Sequence, residues 1–212
     1  LTLDPAQPLG LYLRARLALL ARDARGASAN VDALLAQGRD GPSLRQLERD
    51  VALALDDAPR ALRALEAARD LDPTQAEVHW ALAQAYREAR RLDDRLRALE
   101  AVVQLEQHHR EALGALTAML AQRGRWDALQ ALAPRVIELD PANVAVLLRV
   151  AHARHVGGDR EGAATLYETA IDAGASNADA IRQRITAVRS GGAPGEMLRA
   201  PRQPQGAHDT GE

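Results

Sequence analysis

The chain is 212 residues long, enough for one globular domain or one repeat array with a substantial core. It is 47% hydrophobic and 26% charged with a net charge of −2, a balance that points away from nucleic-acid and anionic-membrane partners. Cys is absent, which excludes disulfides, thiolate metal sites and cysteine nucleophiles.

Phe is also absent, so the apolar mass is Leu, Ala and Val. Ala and Leu are the strongest helix formers, and composition alone leans to an all-α fold. All 27 basic residues are Arg, which reads as the bias of a GC-rich, bacterial genome. No apolar run approaches the ~20 residues of a membrane helix, and no leader is visible. The compartment, cytoplasmic or periplasmic, stays open.

Residues 1–7 read as the end of a second helix whose partner helix is missing, stopped by Leu3-Asp4-Pro5. On this reading the chain is the C-terminal part of a longer array. The same triplet recurs at 71–73 and 139–141, twice at an interval of 68, or two periods of 34. Five units then tile the chain at 8–41, 42–75, 76–109, 110–143 and 144–177. Each is predicted to be a helix, a short turn and a second helix.

In the first two units Arg14 and Glu48 occupy slots that hold Leu82 in the third. A one-residue shift would place Leu13 and Leu47 there instead, so the register of these helices is open. The third unit carries Leu82, Ala83 and Tyr86 on one face, the fourth Leu116, Thr117 and Leu120, the fifth Val150, Ala151 and Arg154. Second helices repeat Ala61, Leu65 and Ala68 as Leu129, Ala133 and Val136, then as Ala163, Tyr167 and Ala170. The turns at Gly124 and Gly158 supply a left-handed residue, with Asp127 and Asp159 near the following helix start. Prolines 73 and 141 stop second helices, and Pro134, inside one, is expected to kink it. Residues 178–189 form one more helix with Ile181, Ile185 and Val188 on its apolar face, Arg182 and Arg184 outward, and Asn177 as N-cap. It should cap the array. Residues 190–212 lack an apolar period and are read as disordered.

With Leu82, Ala83, Tyr86, Gly124, Trp126, Gly158, Ala61, Ala163, Tyr167, Pro73 and Pro141 in place, the chain resembles the tetratricopeptide repeat family over about 170 residues. The resemblance implies an α-solenoid of antiparallel helical hairpins wound as a right-handed superhelix. It also implies a protein or peptide partner bound in a concave groove lined by stacked first helices. Carried over by position, that ladder is Tyr12, Arg16 and Leu19; Gln46, Asp50 and Leu53; Trp80, Gln84 and Arg87; Gly114, Ala118 and Ala121; Leu148, His152 and His155. Its last three triples, from Trp80 to His155, are the candidate partner-binding residues. Small residues at 114, 118 and 121 either admit a ligand backbone or simply permit tight packing between units.

Chemistry is not visible. There is no zincin, nucleophile-elbow, phosphate-loop or dinucleotide pattern. His108-His109 falls in a turn, His152 and His155 are too few for a closed zinc site, and Asp56-Asp57 and Asp93-Asp94 read as caps. No catalytic residue, metal or cofactor is expected. The leading reading is a protein-interaction scaffold. The alternative is the repeat array of a larger glycosyltransferase, sulfotransferase or protease whose catalytic domain lies outside this chain. A structural spacer is the third. Oligomeric state is left open.

Overall fold

The computed structural model describes residues 7–195 and Leu198. Every regular element among them is an α-helix: α1 (Pro8–Leu20), α2 (Ala24–Ala36), α3 (Pro42–Ala54), α4 (Ala58–Leu71), α5 (Ala76–Glu88), α6 (Leu92–Leu105), α7 (Arg110–Gln122), α8 (Trp126–Leu139), α9 (Val144–Val156), α10 (Arg160–Asp172) and α11 (Ala178–Arg189). First helices begin at 8, 42, 76, 110 and 144, and α11 at 178, each 34 residues after the last. The second helices keep the same interval. Contacts group the chain into two compact units, residues 1–107 with α1–α6 and residues 108–212 with α7–α11.

One local device ends all five first helices. The residue after the C-cap is left-handed at Arg22, Asp56, Arg90, Gly124 and Gly158, again 34 apart, with φ between +56° and +88°. The next amide then donates back to the carbonyl five residues earlier, as in Asp23 to Ala18 (2.8 Å), Arg91 to Tyr86 (2.9 Å) and Asp159 to Arg154 (2.9 Å). Only two of the five positions hold glycine; the other three carry the strain of an L side chain in that region. Second helices start from Asp23, Asp57 and Asp159, whose carboxylates accept the amides of Gly26, Arg60 and Gly162 at 2.8–2.9 Å. Asp127 sits one residue inside α8, in its first turn. Asp94 and Asp93 likewise lie in the first turn of α6, where they favour the positive helix end.

In the first unit the core joins Leu11 and Ala15 of α1, Ala27, Val31 and Leu34 of α2, and Leu44, Leu47 and Val51 of α3. No register shift occurs: Leu47 is buried, and so is Glu48, in the slot that Leu82 fills one hairpin later. Glu48 is held by Arg45 Nη1 (2.8 Å) and Arg60 Nε (3.2 Å), and these arginines also reach Asp40 and Asp32. A chain of alternating charge therefore replaces a leucine and ties α2, α3 and α4 together. In α1 the slot is empty of core contact, since Arg14 and Leu13 are both exposed.

In the second unit Leu113, Leu120, Leu129, Leu147 and Tyr167 are fully buried, and α11 lays Ile181, Ile185 and Val188 over the last hairpin. Helix α8 runs through Pro134 as one element, with the proline on its exposed side. One expectation needs correction here. Arg184 is half-buried rather than outward, and its charge is felt at His152 and Tyr167. Asn177 precedes α11 without a side-chain cap bond. Most of the segment expected to be disordered, and the Leu-Asp-Pro at 3–5, lie outside the described residues.

Candidate functional site

A groove of about 680 Å³ lies within the first unit. Its walls come from the end of α3 (Arg49, Leu53), the start of α4 (Ala58 to Leu65) and the second half of α5 (Ala81 to Ala89). Leu53 is 55% exposed, and the floor of Leu62, Leu65, Ala81 and Ala85 is apolar. At the rim Arg49 pairs with Asp50 (2.6 Å) and Arg87 with Glu88 (2.8 Å). Both pairs are open to water and hold their arginines only weakly. Arg95 of α6, half-buried and outside the groove lining, has its Nε without a hydrogen-bond partner among the described residues; burial, then the charge of Arg87, draws its pKa down.

The groove exists because of three alanines. Ala81 and Ala85 of α5 and its C-cap Ala89 stand where α3, one hairpin earlier, has Leu47, Val51 and its C-cap Leu55. In α3 the first two of these larger side chains are buried in the core they share with α2. On α5 the alanines leave that space open. In the second unit the equivalent gap is closed. There Arg149 takes the place of Ala81, with a pKa lowered by burial, and Gln130 takes that of Leu62, donating to the Ala153 carbonyl at 2.6 Å.

Of the expected site residues, Gln84 and Arg87 line this groove, together with Leu53 from the wider ladder. Trp80 is half-buried on the same helix and does not line it. In the second unit Gly114 and Ala118 are half-buried, whereas Ala121, Leu148, His152 and His155 are buried. His152 packs its ring edge-on against Trp126, with centroids 4.8 Å apart. His155 Nε2 donates to the Gly192 carbonyl at 3.0 Å. The Nδ1 atoms of both histidines and the Tyr167 hydroxyl have no partner among the described residues. Burial lowers the pKa of His152, helped by the Arg184 and His155 charges, and raises that of Tyr167 to about 12.

No group of three or more His, Asp or Glu side chains among the described residues is placed to hold a metal. No helix among them is long and apolar enough to cross a membrane.

No protein-family model matches the sequence, and no curated protein does. Solved structures do match. The chain is similar to YrrB, described as a tetratricopeptide repeat protein with an unusual peptide-binding site, at 18% identity, TM-score 0.63, with 85% of this chain and 93% of that one covered. It is similar to MamA at 16% identity and TM-score 0.59, covering 81% and 93%. A third match is the C-terminal part of a tetratricopeptide repeat-containing protein from Cytophaga hutchinsonii, at 14% identity, TM-score 0.57, covering 88% and 85%. With helical hairpins recurring every 34 residues, the chain has the α-solenoid fold of the tetratricopeptide repeat proteins.

Proposed function

We propose that this chain is a protein-interaction scaffold and that the groove of the first unit receives a segment of its partner. The observation that carries the reading is the open apolar floor of Leu62, Leu65, Ala81 and Ala85 beneath two rim arginines. Apolar grooves with a few polar groups at the edge suit an extended or helical segment with an apolar anchor. Arg49 and Arg87 favour an acidic residue beside that anchor, because their present carboxylate partners are exposed and exchangeable. The peptide-binding site named for YrrB adds weight at the level of the shared fold. Binding, not bond-making, is the work such a surface can do: its lining offers no nucleophile and no base aligned on one.

Selection of a displayed random-peptide library on the folded chain tests this. Enriched peptides should share a Leu-, Met- or aromatic-type anchor next to Asp or Glu. Their binding should fall about tenfold or more in Leu53→Asp. Enrichment that survives Leu53→Asp and Arg87→Glu unchanged would place the binding surface elsewhere.

A further inference from the structure

His152 and His155 lie one turn apart on α9, and each is 4% exposed. Polar groups buried this deeply are ordinarily satisfied. These two are not: no carboxylate pairs with either among the described residues, and the Nδ1 atom of each has no partner. Trp126 of α8 lies against His152 but carries only a donor, so it supplies no acceptor. The charges that reach His152 come from Arg184 on α11 and from His155 on α9 itself. Among the described residues α7, α8 and α10 add none. The same arginine reaches Tyr167 on α10, whose buried hydroxyl also lacks a partner.

His155 fixes the other end of the contact. Its Nε2 donates to the Gly192 carbonyl at 3.0 Å, so the neutral ring carries its proton there and Nδ1 is a bare lone pair. Gly192 belongs to the turn that ends α11, where its amide donates to the Ala187 carbonyl at 2.8 Å. Helix α9 therefore meets α11 and its turn at two rings on which an added proton finds no acceptor. What else holds α11 is brief. Ile181, Ile185 and Val188 are buried, and Arg189 reaches Glu168 at 3.0 Å in an exposed pair that contributes little.

We propose that α11 and the turn after it form a cap that acid releases from the last hairpin. A proton on His152 sets a second positive charge in a buried place that already faces Arg184, and the repulsion ends when α11 leaves. Helices α9 and α10 stay together, because α10 packs more extensively on α9 than on α11. Acid thus uncovers the side of the last hairpin that α11 covers. The direction follows from linkage. In the released state the His152 ring has its ordinary value of 6.5, and burial, then Arg184 and His155, holds the docked value below that. Docking is favoured above pH 6.5 and weakens as pH falls from there toward the docked value. One proton taken up only on release shifts the equilibrium by at most about 25-fold between about pH 7 and about pH 5.

Amide hydrogen exchange of the full chain, read by mass spectrometry and scaled for the intrinsic effect of pH, tests the proposal. Protection over residues 181–192 should fall about five- to 25-fold from about pH 7 to about pH 5, while α9 and α10 keep theirs within about twofold. His152→Leu and, separately, Arg184→Met should each cut that fall to about twofold or less, with an unchanged circular dichroism spectrum at about pH 7. Arg184→Met alters the cap alone, so it decides the matter if His152→Leu disturbs α9. Protection over 181–192 that ignores pH overturns the proposal. So does equal loss in α9, α10 and α11, which is unfolding of the whole unit, or a fall of full size in either folded variant.

Discussion

Replacing Ala85 with Leu separates an open groove from a packed interface. Ala85 is half-buried on the groove floor, where Val51 stands fully buried one hairpin earlier. The substitution adds three carbons. Full burial of such a side chain contributes about 2 kcal/mol, and the open groove allows about half of that. Ordering the leucine costs about 0.5–1 kcal/mol. The net change in stability is then within about 0.5 kcal/mol of zero. Ala83, two residues away and 0% exposed, is the contrast: Ala83→Leu overpacks the core and should cost about 1–3 kcal/mol. Urea unfolding followed by circular dichroism reads both. A groove-bound peptide should lose about tenfold or more in affinity to Ala85→Leu, or ~1.4 kcal/mol, because the added side chain occupies the anchor's place. If Ala85→Leu destabilises the chain as much as Ala83→Leu, the groove is not open. If it leaves both stability and peptide affinity unchanged, the groove is open but unused.

Three further outcomes follow from the fold. Gly158, with φ +88°, cannot become Ala without strain, so Gly158→Ala should lower unfolding free energy by about 1–2 kcal/mol; Arg90→Gly, at φ +56°, should be neutral to slightly stabilising, and equal losses in both would refute the left-handed turn. Glu48→Ala takes one carboxylate from Arg45 and Arg60, which keep Asp40 and Asp32, and leaves a gap in a mostly buried slot; it should cost about 1–2 kcal/mol, whereas Glu48→Leu, which refills the slot as Leu82 does one hairpin later, should cost less, as measured by denaturant titration. His152 has a folded pKa below the ordinary 6.5, so the unfolded chain takes up its proton first; the stability it contributes is present above pH 6.5 and is lost as pH falls from there toward the folded pKa. Thermal melts from pH 7 to pH 5 should therefore fall less steeply in His152→Leu than in the parent chain, and parallel slopes would remove His152 as the cause.

The helical fold was legible because its signals are local and periodic. Leu71-Asp72-Pro73 and Leu139-Asp140-Pro141 mark equivalent ends of α4 and α8, and Gly124 and Gly158 mark equivalent turns. Arg22, Asp56 and Arg90 adopt the same left-handed geometry without announcing it, since tertiary packing there overrides residue preference. Glu48 was misleading for a related reason: only in three dimensions do Arg45 and Arg60 converge on it from α3 and α4. The groove was half legible. Position along the first helices led to Leu53, Gln84 and Arg87. The cavity itself is written in a difference between repeats, Ala81, Ala85 and Ala89 against Leu47, Val51 and Leu55, and a search for what recurs passes over it. His152 is covered by Trp126 of the preceding hairpin, and His155 is bonded to Gly192, a residue beyond the last hairpin that the repeat pattern does not reach.

Titration of the isotopically labelled chain with a selected peptide, followed by amide and methyl chemical shifts, tests the central claim most directly. The account predicts saturable shifts centred on Leu53, Leu62, Leu65, Ala81 and Ala85, with little change in α8 and α10. Saturable shifts centred on α8 or α10, with these five residues unmoved, would contradict it.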